Sequence, residues 1–354
     1  MILLNSRFLT HKTTGVQRYA VEISKQLKKL HSDVKFIAPK KILDKDLERE
    51  LCVITTGKNN GHFWEQIDLP LYLKRVGNPL LINLCNTAPL LYSNQIITIL
   101  DLSFLRNPKW FLRSFYLYYK FLIPKIAKKA SKIITISEFS KKEIMDLLNV
   151  PEDKIHVIYC AVSGSVINLT SPEAYNRYAK YILAVSSLDP RKNFKNLIMA
   201  YNNLKLSETR LVIVGSENKV FSDSKLRNII NASKDIIFTG YVSDEELAVL
   251  YKNAKLFVYP SLYEGFGIPP LEAMACGCPV VVSNAASLPE VCGDAAYYVD
   301  PYDIDDIARG ISEVLNNEKL QEELGQKGLE RVKLFSWKDS AEKLLSVIKE
   351  VCDG

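Results

Sequence analysis

The sequence is poor in the residues on which most metal and redox chemistry relies, with only four histidines, four methionines and three tryptophans in 354 residues. Its seven cysteines, Cys52, Cys85, Cys160, Cys276, Cys278, Cys292 and Cys352, are odd in number and lack the paired C-x2-C spacing of a structural zinc site. They read as reduced thiols of a cytoplasmic chain. Long hydrophobic runs are missing as well. The start, MILLNSRFLT, has four apolar residues before Asn5, short of the roughly 7–15 of a signal-peptide core. No stretch nears the ~20 apolar residues of a membrane span. There is neither a low-complexity tract nor a short-period repeat, which argues against fibrous and solenoid architectures.

What is present fits a soluble two-core enzyme. A hydrophobic fraction of 47% over this length supplies apolar surface for about two domains. The net charge of +6 is unevenly spread. Residues 1–170 carry 25 Lys and Arg against 14 Asp and Glu, a net +11, whereas the rest carries 21 against 26, a net −5. A basic first half calls for an anionic partner, either phosphate or a membrane surface. Nucleic acid is the weaker choice, because the cations are dispersed and no DNA- or RNA-binding module accompanies them.

Along the chain, short apolar runs alternate with helical periodicity. MILLNSRF reads as a strand, and residues 15–30 place Val16, Tyr19, Ala20, Ile23, Leu27 and Leu30 on one helical face. Val34–Ala38, Leu80–Leu84, Ile96–Leu100 and Lys132–Ile136 read as buried strands. The polar stretch Leu169–Tyr178 reads as a linker. Beyond it come strand Tyr181–Val185, helix Phe194–Leu204, strands Leu211–Val214 and Ile236–Thr239, helix Asp244–Asn253 capped by Ser243 and Glu246, and strand Leu256–Tyr259. A glycine loop, a helix from Pro270 and strand Pro279–Ser283 follow. This βα alternation predicts an α/β chain of two doubly wound parallel-sheet domains, 1–170 and 171–335, each binding ligands at the carboxyl ends of its strands.

The most informative segment is YPSLYEGFGIPPLEAMACGCPVVVS, residues 259–283. Gly265 and Gly267 let backbone amides approach a ligand closely, and Pro270 suits a helix's first turn. Amides at a helix start favour an anion such as a diphosphate. Glu264 and Glu272 flank that loop, and carboxylates beside phosphates make sense if they accept hydrogen bonds from hydroxyls. A nucleotide sugar offers both groups. The bland alternatives are a solvated Glu264 and a Glu272 that only complements the helix dipole. In LDPRKN, residues 188–193, Arg191 and Lys192 follow a strand and can meet phosphates, or else form a solvated turn with Asn193 as cap. In TTGVQRY, residues 13–19, Gly15 sits where the first strand's loop meets a helix, either to press on a phosphate or as a plain turn.

Taken together these residues resemble glycosyltransferase family 4, retaining enzymes of the GT-B architecture, over the whole chain. Glu264 to Glu272 matches the family's E-x7-E pattern with its Gly-Phe-Gly insert. PRKN at 190–193, TGYVSDEEL at 239–247, SEFSKKEI at 137–144 and FSW at 335–337 support it. The resemblance implies two Rossmann-like domains facing a central cleft, with residues from 336 to 354 returning to the first domain. It also implies residue roles. Lys192, Glu264 and Asp101 are the catalytic candidates, Lys192 stabilising the departing diphosphate with Arg191 beside it. Glu264, with Gly265, Phe266 and Gly267, contacts the donor sugar, and Ile268 and Leu271 are further donor-binding candidates. Glu272 binds the ribose, Tyr241 and Val242 border the base, and Gly15 meets the diphosphate from the other domain. No metal and no cofactor is implied. The chain departs from relatives at Leu100, where a His before Asp101 is common, at Ser187 instead of a basic residue, and at Thr14-Gly15 instead of Gly-Gly.

The expected reaction is front-face displacement of a nucleoside diphosphate from a hexose or 6-deoxyhexose donor by a glycan hydroxyl. An apolar Leu100 would suit the methyl of a 6-deoxy sugar, or is ordinary core. Acceptor choice is expected in loops 56–66 and 86–95. The stretch Lys109–Lys132 interleaves aromatic and basic residues, as a helix lying on an anionic membrane does, or as a packed helix with a basic face does. A lipid-linked acceptor would follow from the first reading. The rival functions are a nucleotide-sugar epimerase or phosphorylase of the same architecture, and a non-catalytic nucleotide-sugar sensor.

Overall fold

The computed structural model describes residues 1–12, 14–164, 178–186, 189–215 and 233–353. The expected linker is almost wholly outside them, as are Thr13, Ser187 and the boundary after residue 170. The chain divides into two compact units, one of Met1–Cys160 together with the segment from Ser336 onward, the other Ala161–Phe335.

Unit 1 is built on seven parallel strands: β1 (Ile2–Asn5), β2 (Val34–Ala38), β3 (Ile54–Thr55), β4 (Leu80–Asn83), β5 (Gln95–Thr98), β6 (Lys132–Thr135) and β7 (Ile155–Val157). They lie in the order β3-β2-β1-β4-β5-β6-β7. Strands such as ILLN and LLIN are buried along their whole length, because helices cover both faces of a parallel sheet and alternation has no use there. Register is set residue for residue, Ile2 beside both Val34 and Leu80, Asn5 beside both Ile37 and Asn83. The first predicted strand stops at Asn5, and Arg7–Thr10 turns into a 3-10 helix. The two-residue β3 at the edge, which is exposed, and β7 escaped the sequence reading.

Helix Gly15–Leu30 buries Tyr19, Ala20, Ile23 and Leu27, whereas Leu30 is exposed. It packs against helix Trp337–Asp353, where Tyr19 and Trp337 meet edge-on at 6.0 Å. Ser340 Oγ donates to Tyr159 O at 2.7 Å, further tying that last helix into unit 1.

Unit 2 carries six parallel strands: β8 (Tyr181–Val185), β9 (Arg210–Val214), β10 (Ile236–Gly240), β11 (Leu256–Tyr259), β12 (Val280–Ser283) and β13 (Tyr297–Val299). Their order is β10-β9-β8-β11-β12-β13. Helices Phe194–Leu204 and Ile304–Leu315 pack together over this sheet, sharing a core with Ile182, Ala184, Leu211, Ile213, Leu256 and Val258. Both units are thus Rossmann-like. In each, the chain lays strands outward from its first strand and then reverses to the other side, at β1/β4 and at β8/β11. The carboxyl ends of those strand pairs form the crevices where open α/β sheets bind ligands.

Candidate functional site

In unit 2 the β8/β11 reversal brings together two segments 72 residues apart. After β8, Pro190–Lys192 forms a single 3-10 turn whose N-cap Asp189 accepts from Arg191 N–H at 3.1 Å. Asn193 ends it in the left-handed region at φ +60°. The sequence reads Asn193 as a helix cap, but its side chain caps nothing. Its amide donates instead to the carbonyls of Pro260 and Pro301, 3.0 and 2.6 Å away, stapling the turn to the loops beyond β11 and β13. Leu262 N–H donating to Arg191 O at 2.7 Å closes the staple.

This places Lys192 Nζ 2.6 Å from Glu264 Oε1 and 2.9 Å from Tyr259 OH, with all three side chains buried. Burial alone pushes an ammonium down, but the Glu264 carboxylate, helped by Tyr259, outweighs it and holds Lys192 above its ordinary value. Burial likewise pushes Glu264 up, and Lys192 with Arg191 overcomes this to hold it below the usual carboxylate range. The Tyr259 phenol is pushed up to about 12, by burial first and by Glu264 second. At neutral pH the site therefore holds a true ion pair beside a neutral phenol. A lysine ammonium has three N–H donors. Two serve Glu264 and Tyr259, and among the described residues no acceptor takes the third. Glu264 is accordingly no solvated loop residue, and Lys192 no solvated turn.

The loop beyond Glu264 is fixed by Ser287, whose Oγ lies 3.0 Å from Glu264 O and 2.8 Å from Phe266 O. Phe266 stands edge-on to Phe335 at 5.6 Å. Of the two loop glycines only Gly267 has a positive φ, +115°, and a Cβ there would lie 2.6 Å from Leu288 Cδ2. Gly265 is buried.

The next helix differs from the expectation. It runs Ile268–Ala275 with Gly267 as N-cap, so it starts two residues before Pro270. Pro269 and Pro270, its second and third residues, have no N–H to offer. The first turn of this helix therefore has no amide to offer at either position. Glu272 becomes the fifth helical residue, beyond the first turn where a dipole contact is strongest. It is buried and accepts from Tyr251 OH at 3.1 Å. Leu271 is fully buried, so its side chain is core and not part of a ligand wall, whereas Ile268 is half-buried. Tyr241 is almost fully exposed and its neighbour Val242 buried. Arg191 is half-buried, its Nε 3.5 Å from Asp189 Oδ2.

Three candidates lie in unit 1. Gly15 is the exposed first residue of its helix, and a methyl there would meet nothing within 4 Å. Asp101 Oδ1 accepts from Ser103 N–H at 3.0 Å and Ser103 Oγ at 2.6 Å, closing the turn into helix Ser103–Arg106. Leu100 is buried, 5% exposed, so it packs as core. Tyr259, Ser287 and Tyr251 were missed in the sequence, where nothing separates them from any strand-end, loop or helix residue. Among the described residues, no group of three or more His, Cys, Asp or Glu is arranged to hold a metal ion.

Comparison with known proteins agrees with the fold. Residues 13–164 match the model of Glycosyltransferase Family 4, and residues 170–331 that of Glycosyl transferases group 1. Over 266 residues, 72% of this chain and 70% of the relative, the sequence is 36% identical to the O-antigen chain mannosyltransferase B of Escherichia coli. It is 34% identical to the O-antigen chain mannosyltransferase RfbU of Salmonella typhimurium over 62% of this chain and 60% of that one. The fold matches a crystal structure of Anabaena HepE in complex with UDP and glucose, with a TM-score of 0.78 at 17% identity, covering 99% of each chain.

Proposed function

Because the chain belongs to the family 4 glycosyltransferases, we propose that it transfers a hexosyl group from a nucleoside diphosphate sugar to a hydroxyl of a glycan acceptor during surface polysaccharide assembly, with retention and without a metal ion. The observation that carries this reading is the buried Lys192–Glu264 pair at the β8/β11 crevice, beside the Gly265–Gly267 loop. A cation with one N–H to spare, held charged by a carboxylate, suits a diphosphate oxygen that gains charge as it leaves. Glu264 can accept from sugar hydroxyls with the oxygen that Lys192 does not engage. Glu272 offers the ribose a carboxylate that is already oriented by Tyr251, and Val242 and Tyr241 border the base.

In the step itself, the bond from acceptor oxygen to anomeric carbon forms on the face from which the diphosphate oxygen departs. The hydroxyl proton passes to that diphosphate oxygen, so the charges balance without a protein base. What the protein contributes is positioning and electrostatic stabilisation. Mannose is the first donor sugar to try, because two relatives are named mannosyltransferases. The burial of Leu100 removes the reason to expect a 6-deoxy sugar. GDP-, UDP- and dTDP-linked sugars, offered with and without mannose oligosaccharides in excess EDTA, provide the test. Acceptor-dependent release of nucleoside diphosphate, with a product whose anomeric configuration matches the donor, is expected. Release that ignores the acceptor, or a product of inverted configuration, would overturn the proposal.

A cytoplasmic enzyme working on a lipid-linked acceptor at the membrane face belongs to the same reading. Its support is helix Arg113–Lys129, which buries Leu122, Ile123, Ile126 and Ala127 and leaves Leu117 and Phe121 exposed among Arg113, Lys120 and Lys125. No described helix is long and apolar enough to cross a membrane. Salt-dependent binding to anionic liposomes is the expected result, and its absence points to a soluble acceptor.

A further inference from the structure

The reversal of strand order in unit 1 also holds a buried ion pair, which the reading above does not use. At the carboxyl end of β1, Asn5 Nδ2 donates to Asn83 Oδ1 at the end of β4 (2.9 Å) and to Glu65 Oε1 (3.1 Å). Arg7 Nε donates to the same Glu65 oxygen at 3.1 Å, and Arg7 Nη2 to Thr87 Oγ1 at 2.7 Å. Asn83 in turn donates to Gln95 Oε1 at 3.1 Å. Glu65 is 1% and Arg7 9% exposed, yet the pair holds its charges: burial opposes both, while each partner's charge keeps Glu65 low and Arg7 high.

Glu65 sits in Trp64–Asp68, the one π-helical turn among the described residues. Such turns rotate side chains out of ordinary helical register and are frequent at functional sites. The turn is also held from outside. Asp68 accepts from the amides of Lys58 and Asn59 at 2.8 Å each, and Trp64 Nε1 donates to Thr56 O at 2.8 Å.

The outlet of this network is His62. Its Nδ1 lies 3.4 Å from Glu65 Oε2, and its ring packs on the Tyr118 ring with centroids 4.7 Å apart. Its side chain is 43% exposed. In the neutral tautomer that donates Nδ1–H to Glu65, Nε2 offers a lone pair. A hydroxyl donor fits that lone pair, and the neighbouring aromatic ring suits the C–H face of a sugar. His11, one of only four histidines in the chain, follows the same loop after β1, next to Thr10 and under the influence of Arg7 and His62.

We propose that His62, oriented by the buried Glu65–Arg7 pair at the β1/β4 crevice, accepts a hydrogen bond from a hydroxyl of the acceptor glycan and so selects how that glycan is presented. Glu65 and Arg7 are positioning residues in this account. The inference rests on the reading of the chain as a glycosyltransferase and adds the residues that hold the second substrate.

The test uses the full chain, GDP-mannose as donor probe and a mannose oligosaccharide as acceptor probe, with His62→Ala and His62→Gln. Being half-exposed, His62 tolerates both changes without loss of fold, which the thermal midpoint verifies. His62→Ala is expected to raise the acceptor KM about ten-fold, the worth of one good hydrogen bond, with donor KM and acceptor-independent donor hydrolysis unchanged. His62→Gln, which restores a side-chain acceptor, recovers part of the loss. An unchanged acceptor KM in His62→Ala overturns the proposal while leaving the donor reading intact. If the wild-type protein turns over no donor, the functional reading fails first. Saturation-transfer NMR of the oligosaccharide on wild type and His62→Ala then decides this site alone, and equal or absent binding overturns it.

Discussion

Each sheet carries a buried cation–carboxylate pair where its strand order reverses, but the two pairs are held differently. In unit 1, Glu65 is engaged by Asn5, Arg7 and His62, and Arg7 by Glu65 and Thr87, so the pair is tied to three neighbouring side chains, of which His62 is half-exposed. In unit 2, Lys192 spends two of its three donors on Glu264 and Tyr259 and keeps one over, beside a loop of backbone amides. The cations differ too. A guanidinium stays charged at any working pH, whereas an ammonium's charge depends on its partner. The unit 1 pair is built into a network of side chains from several segments, and the unit 2 pair stands with a single tyrosine beside a glycine loop.

The largest expected effect separates the two by stability. Glu65→Ala strands a buried Arg7, and removing one partner of such a pair costs about 3–5 kcal/mol. Urea unfolding is expected to show that loss, with nucleotide-sugar affinity retained by whatever fraction stays folded. A loss under 1 kcal/mol would mean that Arg7 finds water.

Next is chemistry. Lys192→Ala is expected to lower kcat by about 10²-fold or more, as loss of a group stabilising the leaving charge does. Near-normal turnover in a folded variant would remove Lys192 from the mechanism and make the two pairs alike. The third effect concerns glycine. Gly267→Ala meets both a positive φ and Leu288, and should cost about 1–3 kcal/mol in folding. Gly15→Ala meets no neighbour and should leave stability alone. A donor affinity that falls in Gly15→Ala would then mark a ligand contact, and unchanged affinity would make Gly15 a plain helix start.

The smallest effect is alkaline. Lys192 is raised in the folded state, so its stabilisation is complete below its unfolded value near 10.5 and is lost only as pH rises through the higher folded value. Glu264→Gln removes the charge that raises it while burial remains, so the variant is less stable at neutral pH and its alkaline loss should shrink or reverse. Arg7 gives unit 1 no counterpart. Equal alkaline profiles for wild type and Glu264→Gln, followed by unfolding midpoint, would show that Glu264 does not set the charge of Lys192.

How much of this was legible in the sequence follows the same division. Buried parallel strands announce themselves as unbroken apolar runs, and β2, β8 and β11 fall on the residues that the pattern predicts. The donor-side residues stand out because glycine, proline and charge crowd into one short segment. Arg7, Glu65 and Thr87 do not, since Glu65 and Thr87 lie 58 and 80 residues from Arg7 and each looks like a surface residue in its own neighbourhood. Only the sheet's reversal joins them. The π-helical turn carries no composition signal either, and Glu272 lies two residues further into its helix than a start at Pro270 implies, because the helix begins from the left-handed Gly267.

The two consecutive prolines after that glycine have a thermodynamic consequence. Proline fixes φ in the unfolded chain as well as in the folded one, so a loop entering through Pro269 and Pro270 surrenders less conformational entropy when it takes shape. In the proposed function, this restraint is in place before a nucleotide sugar arrives. Binding at this loop should therefore carry a small ordering penalty, leaving more of the interaction energy to be expressed as affinity for the diphosphate.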